Sequence, residues 1–176
     1  HVILIGAKTP VAFFAYPDLP SLLIPDGCKV HDLVSVNEDI GDALLRLASR
    51  VGAEPAKNDG PNLDRSTLQS GELNADSIGA AIGHLLPENA IVSDESITAG
   101  RALHPYTKGC PPHDWLYGTG GSIGRALPES TGAAIACPDR RVLCLSGDGS
   151  AMYTVQALWT QERENLNITT VIYDNR

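Results

Sequence analysis

Short apolar runs alternate along this chain with segments of helical spacing and with turns. Residues 2–5 are Val-Ile-Leu-Ile, and residues 142–145 are Val-Leu-Cys-Leu. Continuous apolar runs of this length are typical of buried strands in parallel sheets. Further strands are predicted at 29–34, 90–92 and 168–173, and helices at 39–51, 74–86, 122–136 and 151–164. The segment 98–117, rich in Gly, Pro and His, is predicted to be a loop.

The alternation of strands and helices predicts an α/β fold, in which a parallel β-sheet is flanked by helices. Residues 52–71 are rich in Gly, Pro, Asn, Asp and Ser. We therefore predict a first unit at 1–52, a linker at 53–71 and a second unit at 72–176. Ligands of parallel sheets bind beyond the carboxyl ends of the strands. That edge is expected to collect residues 94–96, 147–150 and 174–176.

Composition and charge argue against several classes of function. The 13 Lys+Arg and 21 Asp+Glu among 176 residues give a formal net charge of −8. Nucleic acids and anionic membranes are not expected partners, because both usually need a basic patch. We expect a cytoplasmic protein, since no apolar run approaches the roughly 20 residues of a membrane span and the first residues do not resemble a signal peptide. The four cysteines form no C-x-x-C pair and predict free thiols.

The Gly-Asp-Gly sequence at 147–149 follows a predicted strand and is the sharpest chemical motif of the chain. Its glycines allow a tight turn and a close approach of the backbone to a ligand, although a purely structural turn would use them too. The helix that begins at 149–150 presents free amides that favour a phosphate. A carboxylate beside a diphosphate requires a bridging cation, so Asp148 predicts Mg²⁺. Asn175, at the end of the next strand, is the expected second ligand.

The spacing of these motifs matches a known pattern. Twenty-five residues, 150–174, separate the Gly-Asp-Gly sequence from Asn175, and residues 120–128 upstream are Gly-Gly-Ser-Ile-Gly-Arg-Ala-Leu-Pro. Together these segments resemble the thiamine diphosphate-dependent enzymes, in particular the cofactor domain of acetolactate synthases and benzoylformate decarboxylases. Residues 71–176 carry the resemblance. Residues 1–52 resemble, more weakly, the C-terminal part of that family's Rossmann-like central domain.

The resemblance implies that thiamine diphosphate and Mg²⁺ are the cofactors, with Asp148 and Asn175 as metal ligands. It implies that Ile123 supports the bent cofactor and that the Gly121 carbonyl accepts a hydrogen bond from its amino group. The full set of expected cofactor-binding residues is Ser96, Thr98, Gly121, Ser122, Ile123, Gly147, Asp148, Gly149, Ser150, Ala151, Met152, Tyr153 and Asn175. FAD stays open as a further cofactor, because some relatives bind it in the central domain, where Lys8 lies. The family also implies a homodimer or homotetramer.

The reaction implied by the resemblance is decarboxylation or carboligation of a 2-oxo acid, as in acetolactate synthase. A 2-oxo acid decarboxylase of the benzoylformate type and a non-catalytic scaffold paralogue remain alternatives. No catalytic residue is expected within this chain, because the family's activating glutamate belongs to an N-terminal domain. The chain starts and stops at predicted strands, so we expect a fragment of a longer polypeptide that is inactive alone.

Two further groups of polar residues are weaker candidates. His104, His113 and Asp114 lie in the predicted loop 98–117 and are candidates for substrate contact. Arg125 and Glu129 depart from the family pattern, in which these positions are usually apolar or small. Both side chains are expected to face solvent.

Overall fold

The structure is a computed structural model that describes residues 1–54, 64–118 and 120–174. The chain divides into two compact units, His1–Asn58 and Asp59–Arg176. The division falls inside the predicted linker 53–71, whose bounds stay a prediction. No helix among the described residues is both long and apolar enough to cross a membrane.

The first unit consists of two parallel strands and a helix: β1 (Val2–Ile5), β2 (Val30–Val34) and α1 (Ile40–Val51). Asp39 begins the helix by accepting a hydrogen bond of 2.9 Å from the Asp42 amide. All three elements were predicted. The prediction of a fully buried first strand is wrong, because this two-stranded sheet buries Leu4 but leaves Ile3 55% exposed.

The second unit is a four-stranded parallel sheet in the order β4-β3-β5-β6. The strands are β3 (Ile91–Glu95), β4 (Asp114–Tyr117), β5 (Val142–Gly147) and β6 (Ile168–Tyr173). The helices are α2 (Ala75–Leu85), α3 (Leu103–Thr107), α4 (Ala126–Ala136), α5 (Asp148–Met152) and α6 (Ala157–Arg163), with a 3₁₀ turn at Ala99–Ala102. This confirms the predicted α/β class.

Helices cover both faces of this sheet because side chains alternate along each strand. On one face, Leu145 and Val92 pack with Leu103 of α3 and with Ile78 and Ile82 of α2. On the other face, Cys144 packs with Ala126 and Leu127 of α4 and with Ala151 of α5, and Val142 packs with Ala134 of α4. Neighbouring positions of β5 thus contact opposite layers, which holds the carboxyl end of this central strand in place.

Helix α2 follows the predicted pattern at its start and departs from it at its end. The Asn74 side chain accepts hydrogen bonds of 3.0 Å from the amides of Asp76 and Ser77, which forms the cap expected from the sequence. Leu85 was expected on the buried face but is 68% exposed, whereas Leu86, which follows the helix, is buried. The chain turns at Leu86, where the helical period no longer sets which residue faces the sheet.

The prediction of a loop at 98–117 is wrong. This segment contains the 3₁₀ turn, helix α3 and the edge strand β4. Pro105 is tolerated in α3 because it lies in the first turn, where the backbone amide has no partner within the helix. Strand β4 pairs in parallel with β3, from Ile91 opposite Asp114 to Asp94 opposite Tyr117.

Two predicted helices are shorter than their sequence patterns. The helix expected at 122–136 begins at Ala126, since Gly124 has a φ of 81° that a right-handed helix does not allow. The helix expected at 151–164 is interrupted between Met152 and Ala157 and resumes as α6. The interruption contains Thr154, whose hydroxyl bonds to the Gly124 carbonyl instead of to its own helix.

Candidate functional site

The carboxyl end of β5 runs directly into helix α5. Gly147 has extended backbone angles, φ −73° and ψ 154°, and Asp148 is the first helical residue. Gly149 is exposed, and a Cβ built on it would meet no atom within 4 Å. The first-turn amides of a helix lack partners within that helix. The turn therefore offers backbone donors beside open space, whereas the side chains of Ser150 and Ala151 are buried.

Asp148 lines a cavity of about 530 Å³ together with Asp174, which follows the end of the neighbouring strand β6. Gly149 and Met152 also line this cavity, and Met152 is 68% exposed. The register explains the proximity, because Gly147 lies opposite Tyr173 at the end of the β5–β6 pair. Asn175, the second predicted metal ligand, lies outside the described residues, and so does Arg176.

The loop before α4 turns through glycines in the left-handed region of backbone space. Gly120, Gly121 and Gly124 have φ values of 68°, 65° and 81°. Ser122 is exposed, and Ile123 is 43% exposed. The loop therefore presents its predicted cofactor-binding residues to solvent.

Gly124 connects this loop to the residues that follow α5. Its carbonyl accepts a hydrogen bond of 2.7 Å from the Thr154 hydroxyl. A Cβ on Gly124 would lie 2.5 Å from Cβ of Tyr153, so only glycine permits this approach. Tyr153 itself is 67% exposed. The structure thus brings together two predicted groups, residues 121–123 and residues 147–153, which are separate in sequence.

A buried carboxylate lies behind these two groups. Glu95, the last residue of β3, is 5% exposed. Its Oε2 accepts hydrogen bonds from the amides of Arg125, at 2.6 Å, and Ala126, at 3.0 Å. Its Oε1 accepts a bond of 2.8 Å from the Ser146 hydroxyl. Glu95 is not among the residues predicted from the sequence, although an acidic residue that ends an apolar strand is a visible signal.

The Arg125 and Glu129 side chains do not face solvent as expected, because their exposed fractions are 16% and 31%. The Arg125 guanidinium pairs with Glu129 and donates to the Asp94 carbonyl, and Ser93 donates to the same Glu129 carboxylate. The guanidinium also lies against Gly118, where a Cβ would be 2.5 Å from Arg125 Nε. These ionic side chains are therefore part of the packing between β3 and α4.

Ser96 and Thr98 differ in their environments. Ser96 is 3% exposed, its hydroxyl and amide both donate to Asp94 Oδ1, and a Cβ on Gly100 would clash with its Oγ. Thr98 is exposed at the start of the 3₁₀ turn and makes no capping bond. Of the two, Thr98 has the accessible hydroxyl.

The structure does not place His113 and Asp114 at this edge. Asp114 begins β4 opposite Ile91, at the amino end of the parallel sheet, and pairs with Arg140 at 2.6 Å. His113 bonds through Nδ1 to the Pro111 carbonyl at 2.8 Å. These two candidates for substrate contact therefore lie away from the carboxyl ends of the strands, where the candidate site is. His104 lies in α3 and is exposed.

Two buried side chains of the sheet, Tyr173 and Cys144, have raised pKa values. Burial raises the pKa of Tyr173 to about 12, with a smaller contribution from the charge of Asp94. Burial also raises the pKa of the Cys144 thiol. All four cysteines are free, as expected. Within the described residues, no group of three or more His, Cys, Asp or Glu side chains could hold a metal ion.

Comparisons with known proteins identify the C-terminal part of the chain. Residues 98–176 match the family described as thiamine pyrophosphate enzyme, C-terminal TPP binding domain. This match assigns residues 98–176 to the thiamine pyrophosphate enzyme C-terminal domain. The described part of the match, 98–118 and 120–174, includes the exposed Thr98, the glycine loop before α4 and the Gly-Asp-Gly turn, whereas Glu95 precedes it.

Similar proteins are named either as acetolactate synthases or as decarboxylases. The chain is 51% identical over 175 residues to a Mycobacterium tuberculosis protein named "Putative acetolactate synthase large subunit IlvX", covering 99% of this chain and 34% of that protein. It is 28% identical over 141 residues to benzoylformate decarboxylase from Pseudomonas aeruginosa, covering 77% of this chain and 27% of that protein. The chain thus spans between about a quarter and a third of the length of these relatives.

A solved structure shows the same fold. It is described as a Rhodococcus jostii RHA1 thiamine diphosphate-dependent 4-hydroxybenzoylformate decarboxylase, and it superposes with a TM-score of 0.67 at 23% identity. The comparison covers 98% of this chain and 35% of that chain. This likeness supports the parallel α/β architecture of the thiamine pyrophosphate enzyme domain.

The donor set at the carboxyl edge fits the diphosphate end of the cofactor that this domain family binds. Gly149 leaves space for a ligand against the backbone, and Asp148 supplies a carboxylate oxygen on the same turn. Hard cations such as Mg²⁺ prefer oxygen ligands and join one or two carboxylates to phosphate oxygens. The residues present can therefore hold a diphosphate through a cation.

The first unit has a separate cavity of about 760 Å³ at the ends of β1 and β2, lined by Lys8, Thr9, Asp32, Ser35 and Glu38 among others. Its charged residues include one cation and two carboxylates. FAD as a cofactor of this unit stays a prediction.

Proposed function

We propose that the natural full-length protein binds thiamine diphosphate with Mg²⁺ and catalyses decarboxylation or carboligation of a 2-oxo acid. The observation that carries the proposal is the arrangement of Asp148 and Gly149 on a turn that faces the same cavity as Asp174. This turn lies inside a domain whose family binds thiamine pyrophosphate.

We assign the metal to Asp148 and, as second protein ligand, to Asn175, which follows Asp174 in the sequence. The diphosphate would contact backbone donors of residues 147–150, where the Gly149 surface is open. The carboxylate and the phosphates repel each other in the absence of a cation, so we expect cofactor affinity to depend on Mg²⁺. Thr98 is a further hydroxyl donor, whereas Ser96 is buried and bonded to Asp94.

We assign the aromatic rings of the cofactor to the loop before α4 and the end of α5. Ile123 would support the bent cofactor, the Gly121 carbonyl would accept from its amino group, and Ser122, Met152 and Tyr153 would flank it. When bound, the cofactor supplies the nucleophilic carbon and the electron sink that loss of CO₂ requires. This chain contributes position and electrostatics, because we expect the activating glutamate to lie in another domain.

The higher identity to the IlvX protein supports an acetolactate synthase-like carboligation as the first choice. The match to benzoylformate decarboxylase supports simple decarboxylation as the second choice. We propose a homodimer or homotetramer in the cytoplasm, with a small 2-oxo acid as substrate.

A calorimetric titration of thiamine diphosphate into the full-length protein, with Mg²⁺ and then with a chelator, tests the proposal. Saturable binding that requires Mg²⁺ is the expected result. No binding to a folded protein would favour the non-catalytic scaffold paralogue. Product analysis with pyruvate and with benzoylformate then separates the reactions, since carboligation of pyruvate yields acetolactate and simple decarboxylation yields aldehydes.

A further inference from the structure

The Glu95 carboxylate bonds to residues beside both parts of the proposed cofactor site, the glycine loop 121–124 and the turn 146–150. One oxygen accepts from the Arg125 and Ala126 amides, at the junction between the glycine loop and α4. The other accepts from Ser146, which immediately precedes the Gly-Asp-Gly turn. A single side chain therefore connects segments that are twenty residues apart in the sequence, from 126 to 146.

The environment of Glu95 explains how a charge is accommodated at 5% exposure. Three hydrogen bonds satisfy the two carboxylate oxygens, and the positive end of the α4 dipole favours a negative charge at this position. The Arg125 guanidinium is engaged elsewhere, with Glu129 and the Asp94 carbonyl. The carboxylate thus accepts hydrogen bonds from two backbone amides and from Ser146, and the nearby guanidinium bonds to other groups.

The loop before α4 depends on such contacts for its position. Gly120 and Gly121 are exposed, have positive φ, and lie in a segment that glycine makes conformationally permissive. At the end of this loop, the Gly124 carbonyl bonds to Thr154 and the next amide, that of Arg125, bonds to Glu95. The Arg125 side chain also packs on Gly118, at the start of the loop.

We infer that Glu95 is a positioning residue that fixes the 121–124 loop relative to the 146–150 turn, so that both parts of the cofactor site hold one geometry before a ligand binds. The inference rests on the proposed function, because it assigns the site to thiamine diphosphate. Glu95 acts through the Arg125 and Ala126 amides and the Ser146 hydroxyl, none of which is an assigned metal ligand or ring-binding group. We therefore expect that removal of the Glu95 carboxylate leaves the 121–124 loop less well positioned and so lowers cofactor affinity.

The test compares Glu95→Ala, Glu95→Gln and the exposed control Glu88→Ala in the full-length protein. Glu95→Gln keeps a carbonyl oxygen for the Arg125 and Ala126 amides and turns its NH₂ toward Ser146 Oγ, which can accept. We expect Glu95→Ala to lower thiamine diphosphate affinity about tenfold or more, a loss equivalent to one or two hydrogen bonds. Glu95→Gln should stay within about threefold of the wild-type affinity, and Glu88→Ala should match the wild type.

Hydrogen exchange without ligand supplies a second readout. The amides of Arg125 and Ala126 should exchange faster in Glu95→Ala than in Glu95→Gln, measured well below the melting temperature of both variants. A general loss of stability would accelerate exchange across the whole sheet, including β5, whereas a positioning role accelerates it at the loop and the start of α4.

The outcomes separate the two claims. Failure of the wild-type protein to bind thiamine diphosphate would contradict the proposed function itself. Wild-type binding together with unchanged affinity in a folded Glu95→Ala variant would overturn the positioning role alone. If Glu95→Ala does not fold, Ser146→Ala decides, because it keeps the Glu95 bonds to α4 and removes the bond to β5, together with the longer bond of 3.2 Å from the Ser146 hydroxyl to the Gly147 carbonyl. An affinity loss of about threefold or more supports the inference, and wild-type affinity in Ser146→Ala overturns it.

Discussion

The Thr154 hydroxyl donates a hydrogen bond of 2.7 Å to the carbonyl oxygen of Gly124. Thr154 lies in the break between α5 and α6, and Gly124 lies at the end of the loop before α4. The bond thus joins the interruption in one predicted helix to the late start of another. It therefore holds the residues that follow α5 against the loop that precedes α4, beside the open edge of the proposed site.

Substitution of Gly124 by alanine is expected to destabilise the protein by about 3 kcal/mol or more. The φ of 81° costs an alanine about 1–2 kcal/mol, and the new Cβ would lie 2.5 Å from the Tyr153 Cβ, which cannot rotate away. Gly120→Ala is the matched control, since Gly120 has a φ of 68° but open space around it. Urea denaturation should show the larger loss for Gly124→Ala, and equal losses would contradict the close approach.

Substitution of Asp148 by alanine is expected to abolish Mg²⁺-dependent binding of thiamine diphosphate, because the cation would lose its carboxylate on the Gly-Asp-Gly turn. Glu162→Ala is the control, since it removes one exposed negative charge from the nearby helix α6. Calorimetry with and without Mg²⁺ measures the effect. Near-normal affinity in Asp148→Ala would rule out the metal assignment.

Gly149→Ala is expected to weaken thiamine diphosphate binding while leaving the protein folded. A Cβ on Gly149 meets no atom of the protein within 4 Å, so the unliganded chain accepts the methyl group, whereas a ligand against the backbone would collide with it. Gly132→Ala in α4 is the matched control, because its Cβ also meets open space. That variant should gain up to about 1 kcal/mol of stability without a change in affinity. Equal cofactor affinities in the two variants would argue against a ligand at Gly149.

Tyr173→Phe is expected to change the stability of the protein at alkaline pH. The Tyr173 hydroxyl is buried without a hydrogen-bond partner, so its loss at neutral pH should be neutral or slightly stabilising. Burial raises the pKa of Tyr173 to about 12, above the value of about 10 in the unfolded chain. Between these values the unfolded state binds fewer protons than the native state, so stability falls as pH rises.

The alkaline loss attributable to Tyr173 should approach about 2 kcal/mol and should be absent in Tyr173→Phe. Denaturant titrations of both proteins from pH 8 to pH 12 isolate this contribution, because the other titrating groups are common to both. Parallel stability curves over that range would show that the buried phenol does not retain its proton.

Local sequence chemistry predicted a large part of the fold. The continuous apolar runs of β1 and β5 and the run of β-forming residues in β6 identified strands. The Asn74 side chain identified the start of α2, where it caps two amides. The Gly-Asp-Gly turn was predicted at the end of β5, and the structure places it there. These features depend on contacts within a few residues, so their patterns are visible in a linear sequence.

Tertiary structure alone decided the remaining features. Strand β4 pairs with the edge of β3, and its four residues lie in a segment whose Gly, Pro and His residues predicted a loop. The burial of Arg125 and the three hydrogen bonds to Glu95 arise from residues about thirty and fifty positions apart. The sequence determined which groups could bind a diphosphate and a metal. The packing of α4 against β3 and β5 determined how those groups are held together, since a charge enters the interior only where folding supplies its partners.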